Sequence, residues 1–139
     1  MFGKKVSSGI RILVVDDNPT FLQAFLQYLC TDPAMLIMGK ALNGHDALEL
    51  AEVLRPDLVL VDLAIPGLNG LEVTKRLKEK PDAPRVIILT VYDHPEYRTH
   101  AELAGADGFV AKSQIGEEFL SLIHSLCNGE TPGLDTERM

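Results

Sequence analysis

Apolar positions along the chain fall into two alternating kinds of pattern. Short runs dominated by apolar residues occur at Ile10 to Val15, Met35 to Leu42, Leu58 to Val61 and Val86 to Leu89, with a less apolar one at Asp107 to Ala111. A run without polar alternation marks a strand covered on both faces, although periodicity alone leaves a buried helix segment open. Between these runs, apolar side chains recur every three or four positions. The helical faces they predict are Leu22, Phe25, Leu26 and Leu29; Ala47, Leu50, Ala51 and Leu54; Val73 and Leu77; Tyr97, Ala101 and Ala104; and Ile115, Phe119, Leu122, Ile123 and Leu126.

Polar punctuation sets the boundaries. Asn18 before Pro19 suits a helix start, as do Asn43-Gly44 and the capping-box spacings Asn69/Glu72 and Asp93/Glu96, while Ser113 is expected to cap the last helix. Pro56, Pro81 and Gly105 stop the helices that precede them, and Pro66-Gly67 turns the chain just after Asp62. Five strands alternating with five helices predict an α/β fold, a doubly wound five-stranded parallel sheet flanked by five helices. The reading is a single domain over residues 10–128, with a lead-in at 1–9 and a tail or truncated linker at 129–139.

Composition narrows the function. A chain of 139 residues with 46% hydrophobic content is one soluble domain's worth, and no apolar run approaches the ~20 residues of a membrane span. Met1 to Gly9 has no hydrophobic stretch that could serve as a secretory signal, so a cytoplasmic location is expected. A net charge of −7, from 20 acidic against 13 basic residues, argues against nonspecific nucleic-acid binding and gives no reason to expect binding to anionic membranes. Cys30 and Cys127 lie in apolar helical patterns without metal-type spacing and read as buried thiols; His45, His94, His100 and His124 are scattered and read as surface residues.

In such a sheet, ligands bind outside the carboxyl ends of the strands. The residues placed there are Asp16, Asp17, Asp62, Thr90 and Lys112. A lone strand-end Asp is more often a loop cap than a reactive group. Three carboxylates together need counter-charge, and hard oxygen donors suit Mg²⁺. A metal, a lysine and a hydroxyl around one nucleophilic carboxylate form a site for a phosphoryl group, whose three charged oxygens all need partners. A structural salt-bridge cluster is the alternative on these residues alone.

Taken in order and by element, Asp16-Asp17, Asp62 with Pro66 and Gly70, Thr90 and Lys112 resemble the receiver domain of bacterial two-component response regulators over about residues 10 to 128. The Gly-Phe-Val-Ala-Lys-Ser and Leu-Thr-Val-Tyr-Asp segments are similar to the NarL/FixJ class. The resemblance implies a CheY-like fold in which Asp62 takes a phosphoryl group from a sensor histidine kinase or phosphotransfer protein. It implies Mg²⁺ held by Asp17 directly, Asp16 mainly through water, Asp62 and the main-chain carbonyl of Ala64. Thr90 and Lys112 would bond phosphoryl oxygens, and Phe109 would be the aromatic that turns inward with Thr90. It further implies switching of partner binding, with a homodimer on phosphorylation as one outcome, and contact with DNA only through an output domain that this sequence does not include. The chain is then a stand-alone receiver or the receiver part of a transcriptional regulator.

Two departures stand out. Ser113 follows Lys112 where many members carry a cis proline, so that peptide geometry is not assumed. Ala64 and Tyr92, two residues past Asp62 and Thr90, flank the approach of hydrolytic water in this family and offer no carboxamide to orient it, so a long-lived phosphoryl group is expected. Of the rival functions, a Mg²⁺-dependent phosphohydrolase of the haloacid dehalogenase type would need a second Asp at the position of Ala64, and a degenerate receiver serving as a scaffold would normally have lost one of the five residues.

Overall fold

The computed structural model describes residues 9–128. Its elements follow the predicted alternation: β1 (Ile10–Val15), α1 (Pro19–Leu29), β2 (Met35–Ala41), α2 (Gly44–Leu54), β3 (Leu58–Asp62), α3 (Gly70–Lys78), β4 (Arg85–Thr90), α4 (Pro95–Ala104), β5 (Gly108–Ala111) and α5 (Glu117–Cys127). All pairings are parallel and the strand order is β2-β1-β3-β4-β5. The order reverses between β1 and β3, so the crevice above these two strands is the natural ligand position.

Every residue of β3 is buried, and its side chains alternate between two cores. Leu58 and Leu60 join Ile12, Val14, Ile87 and Leu89 beneath Phe25 and Leu29 of α1 and Phe119 and Ile123 of α5. Val59 and Val61 join Leu13, Val15, Val86 and Ile88 beneath Ala47 of α2, Val73 and Leu77 of α3 and Ala101 of α4. Burying each of these large aliphatic side chains contributes about 1.5–3 kcal/mol, which is why β3 is the least negotiable strand.

The helix starts are mostly where polar residues place them. The Asn18 side chain accepts from the amides of Thr20 (3.0 Å) and Phe21 (3.1 Å), Asn43 from that of Asp46 (2.8 Å), and Asn69 from that of Glu72 (2.9 Å). The Asp93/Glu96 capping box does not form. Pro95, with its fixed φ and missing N–H, occupies the first turn of α4, which makes His94 the N-cap residue, and Asp93 pairs with Arg98 instead. Ser113 does not cap α5 either: it lies in a 3₁₀ turn, Lys112–Gln114, and Gly116 precedes the helix. No peptide bond is cis among the described residues.

Two further expectations change. Cys30 is exposed because it ends α1 as its C-cap, one position beyond the buried stripe; Cys127 is half-buried, with burial pushing its thiol up to about 11. His124 remains at the surface but meets Asp32 at 2.8 Å, joining the end of α5 to the α1–β2 loop.

At the amino edge of the sheet the loops are tied to the strands. Arg11 donates its amide to Asp57 Oδ2 (2.9 Å) and its guanidinium to the carbonyls of Leu54 and Arg55, and Asp57 exchanges backbone bonds with Arg11 and Arg85. Asp107 accepts from the Val86 amide and from Lys78 Nζ, each at 2.8 Å.

Candidate functional site

β1 and β3 are neighbours in the sheet; Asp16 and Asp17 directly follow β1 and Asp62 ends β3, so the topology brings the three acids together. One carboxylate oxygen from each of the three lies within 4.8 Å of the others. Asp16 and Asp62 are buried, whereas Asp17 is exposed and faces solvent at the mouth of the cluster. Each buried acid has part of its charge satisfied locally. Asp16 Oδ1 accepts the Asn18 amide at 2.8 Å, and Asp62 Oδ2 accepts the Ala64 amide at 3.1 Å.

Lys112 completes the cluster. It leaves β5 at the start of the 3₁₀ turn and reaches back over the sheet edge, placing Nζ 2.7 Å from Asp16 Oδ2 and 3.1 Å from Asp62 Oδ1. Its pKa is raised: burial pulls it down, but the hydrogen bonds to Asp16 and Asp62 outweigh that. Asp62 is raised as well, because burial and the neighbouring Asp16 charge overcome the pull of Lys112 and the Ala64 amide. A buried carboxylate held this way carries a charge it does not hold comfortably, and another cation would relieve it.

The donor set fits a small hard cation. Three carboxylates with Asp17 open to water are the kind of oxygen ligands that Mg²⁺ takes while keeping part of its water shell.

Thr90 ends β4 beside the cluster, but its hydroxyl is turned to its own loop: Oγ1 accepts the Tyr92 amide at 2.7 Å. Phe109 lies outside the cluster on β5, where the Arg98 guanidinium stands 4.8 Å over its ring and bonds its carbonyl at 3.2 Å. Tyr92 is half-exposed and packs edge-on against Tyr97. Of the residues singled out in the sequence, the structure thus brings Asp16, Asp17, Asp62 and Lys112 into one cluster, with Ala64 on its rim and Thr90 and Phe109 along the adjoining strands.

One neighbour was not anticipated. Phe21, in the first turn of α1, sets its ring centroid 3.8 Å from Lys112 Nζ. No sequence pattern links residues 91 positions apart; its i, i+4 spacing to Phe25 was the sole hint that it lies on the inner face.

A model of the response regulator receiver domain matches residues 12–124. The nitrate/nitrite response regulator protein NarL of Escherichia coli strain K12 is 39% identical over 119 residues, which cover 86% of this chain and 55% of that protein. Response regulator GacA of Pseudomonas aeruginosa is 34% identical over 122 residues, covering 87% of the chain and 56% of GacA. The chain therefore spans about half the length of these curated relatives. Among solved structures, the signal receiver domain of a NarL response regulator from Mycobacterium tuberculosis superposes with a TM-score of 0.84 at 28% identity, covering 88% of this chain and 99% of that one. The response regulator domain of Thermotoga maritima CheB gives 0.70 at 30% identity, covering 87% and 92%. By this match, the parallel five-stranded fold and the acidic edge cluster, the chain belongs to the response regulator receiver domain family, related to the NarL/LuxR-type regulators of two-component signalling.

Proposed function

We propose that this domain, bounded by residues 10–128, is switched by transfer of a phosphoryl group to Asp62. The observation that carries the reading is the bridging position of Lys112, 2.7 Å from Asp16 and 3.1 Å from Asp62 with Asp17 open beside them. One Asp62 carboxylate oxygen attacks phosphorus of a phosphohistidine on a sensor kinase or phosphotransfer protein. The P–N bond breaks, its electron pair returns to the imidazole nitrogen, which takes a proton from solvent, and an acyl phosphate remains on Asp62. Asp17, Asp16, Asp62 and the Ala64 carbonyl would hold Mg²⁺, which when bound supplies positive charge to the phosphoryl oxygens.

The chain's own residues do the rest. Lys112 exchanges Asp62 Oδ1 for a phosphoryl oxygen while keeping Asp16. The Ala64 amide holds Asp62 Oδ2 and so fixes the carboxylate plane. Thr90 releases the Tyr92 amide to bond another phosphoryl oxygen, and Phe109 follows it inward, reshaping the face of α4, β5 and α5. That face then selects a partner, a second copy of the domain being one choice. Contact with DNA would run through a further domain. A cytoplasmic setting agrees with this chemistry, and no helix among the described residues is long and apolar enough to cross a membrane. Repeated hydrolysis of a free substrate is disfavoured, because the position of a general acid is held by Ala64.

Intact mass after incubation with acetyl phosphate and Mg²⁺ tests the reading. A single phosphoryl adduct that requires both the metal and Asp62, and is lost in Asp62→Ala, is the expected result. A folded protein that takes no adduct would refute it.

A further inference from the structure

The Lys112 ammonium has three N–H bonds. It donates to Asp16 Oδ2 at 2.7 Å, pairs with Asp62 Oδ1 at 3.1 Å, and has the face of the Phe21 ring at 3.8 Å. This is well inside cation–π range, and the Lys112 side chain is only 15% exposed, so the contact is largely desolvated and correspondingly strong. The ring is itself held in place. Phe21 stacks on Phe25 with centroids 5.1 Å apart and planes inclined by 21°, and Phe25 packs on Tyr28 and Phe119, at 6.0 Å in each case. Tyr28 in turn donates its hydroxyl to the Gly116 carbonyl at the start of α5. A continuous aromatic column therefore runs from the ammonium through α1 to α5.

We infer that Phe21 is a positioning residue for phosphoryl transfer: its ring anchors the Lys112 ammonium between Asp16 and the incoming phosphoryl group. The inference rests on the reading of Lys112 given above. A ring face attracts a cation without fixing the direction of its N–H bonds. Lys112 can therefore rotate one N–H from Asp62 Oδ1 to a phosphoryl oxygen while the opposite side of the ammonium stays where it is. An aliphatic side chain of similar size would fill the same space but would leave that side of the charge buried without a partner. The charge would then be drawn more tightly onto Asp62, the oxygen it has to give up.

The test compares Phe21→Leu and Phe21→Met with Phe21→Tyr in the whole chain, each checked by thermal melting. Two readouts are taken. In the metal-free protein, ring current should shift the Lys112 ε-methylene proton resonances upfield in the parent and in Phe21→Tyr, and the shift should vanish in both aliphatic variants. With acetyl phosphate and Mg²⁺, the aliphatic variants should accept the phosphoryl group about two- to tenfold more slowly, with Phe21→Tyr near the parent rate. Aliphatic variants that react at the parent rate, or that keep the Lys112 shift, would overturn the inference. So would a Tyr variant as slow as Leu, since packing alone would then account for the loss. A parent that takes no phosphoryl group would instead remove the reading of the site, and the Lys112 resonances would still judge the anchor.

Discussion

Lys112 lies closer to Asp16 than to Asp62, 2.7 Å against 3.1 Å. The shorter contact joins it to the more deeply buried acid, held by the Asn18 amide; Asp62, held by the Ala64 amide, is slightly more exposed. In the proposed transfer Asp16 is then the fixed partner of the ammonium and Asp62 the exchangeable one. In Asp16→Asn the lysine loses its charged anchor and should collapse onto Asp62. Phosphoryl uptake from acetyl phosphate is expected to fall at least tenfold, the order of one lost charge-assisted hydrogen bond in the transition state. Uptake at the parent rate would show that Asp16 is dispensable to the lysine.

Asp62 sits in the fold at a cost. Its carboxyl is raised by burial and by Asp16, so the folded chain holds that proton to higher pH than the unfolded chain does. Below the ordinary carboxylate range both states are protonated and nothing is lost; as pH rises through and above that range, stability falls. Asp62→Asn should therefore melt a few degrees higher than the parent at neutral pH in metal-free buffer. Mg²⁺ should raise the parent's melting temperature and move the variant less. A variant that melts below the parent would mean the Lys112 pairing outweighs the burial.

Gly70 opens α3 directly under the site. A Cβ there would stand 2.5 Å from the Asp62 carbonyl oxygen and 2.9 Å from Leu63 Cα, both backbone atoms that cannot swing aside. Gly70→Ala should cost about 1–3 kcal/mol by overpacking and should slow phosphoryl uptake by moving the backbone that presents Asp62. Denaturant unfolding and the intact-mass assay would report the two effects separately, and parent values in both would refute the clash.

Arg98 holds three groups at once, the Phe109 ring, the Phe109 carbonyl and Asp93 in the β4–α4 loop, where the proposed switch would move Phe109. Because Arg98 is substantially exposed, Arg98→Ala should cost well under about 1 kcal/mol. Its larger effect should be on the ring. Phe109 resonances of the unphosphorylated variant are expected to move toward those of the protein with a phosphoryl analogue bound; unmoved resonances would remove Arg98 from the switch.

Asp32 supplies a separate pH effect at the far end of α5. Its carboxyl is lowered first by the Ala34 amide and then by His124. That stabilisation is present above the ordinary carboxylate range and is lost as pH falls through the lowered value. The melting difference between the parent and Asp32→Asn should accordingly be small but clear near neutrality and vanish in strong acid. A difference independent of pH would exclude the carboxylate as its source.

Much of this was legible in the chain. Leu58 to Val61 reads as a doubly covered strand because both neighbours and both helical layers press on it, and the run has no polar residue to blur the signal. The edge cluster was legible for the same reason, since a strand that ends on an acid places that acid at the rim. Helix starts were harder where two local rules competed: at α4 the rigid ring of Pro95 prevailed over the Asp93/Glu96 spacing. Ser113 was misplaced because a 3₁₀ turn has no apolar periodicity to announce it. Phe21 was invisible as a partner of Lys112 because their contact depends on how α1 crosses the sheet.

The ties among Arg11, Asp57, Arg85 and Asp107 lie at the end of the sheet opposite the site. They join the entries of four strands through backbone bonds and through the carboxylates of Asp57 and Asp107. Those bonds set where each strand enters the sheet, so the register that delivers Asp62 to the opposite edge is fixed from the far end rather than from around the crevice.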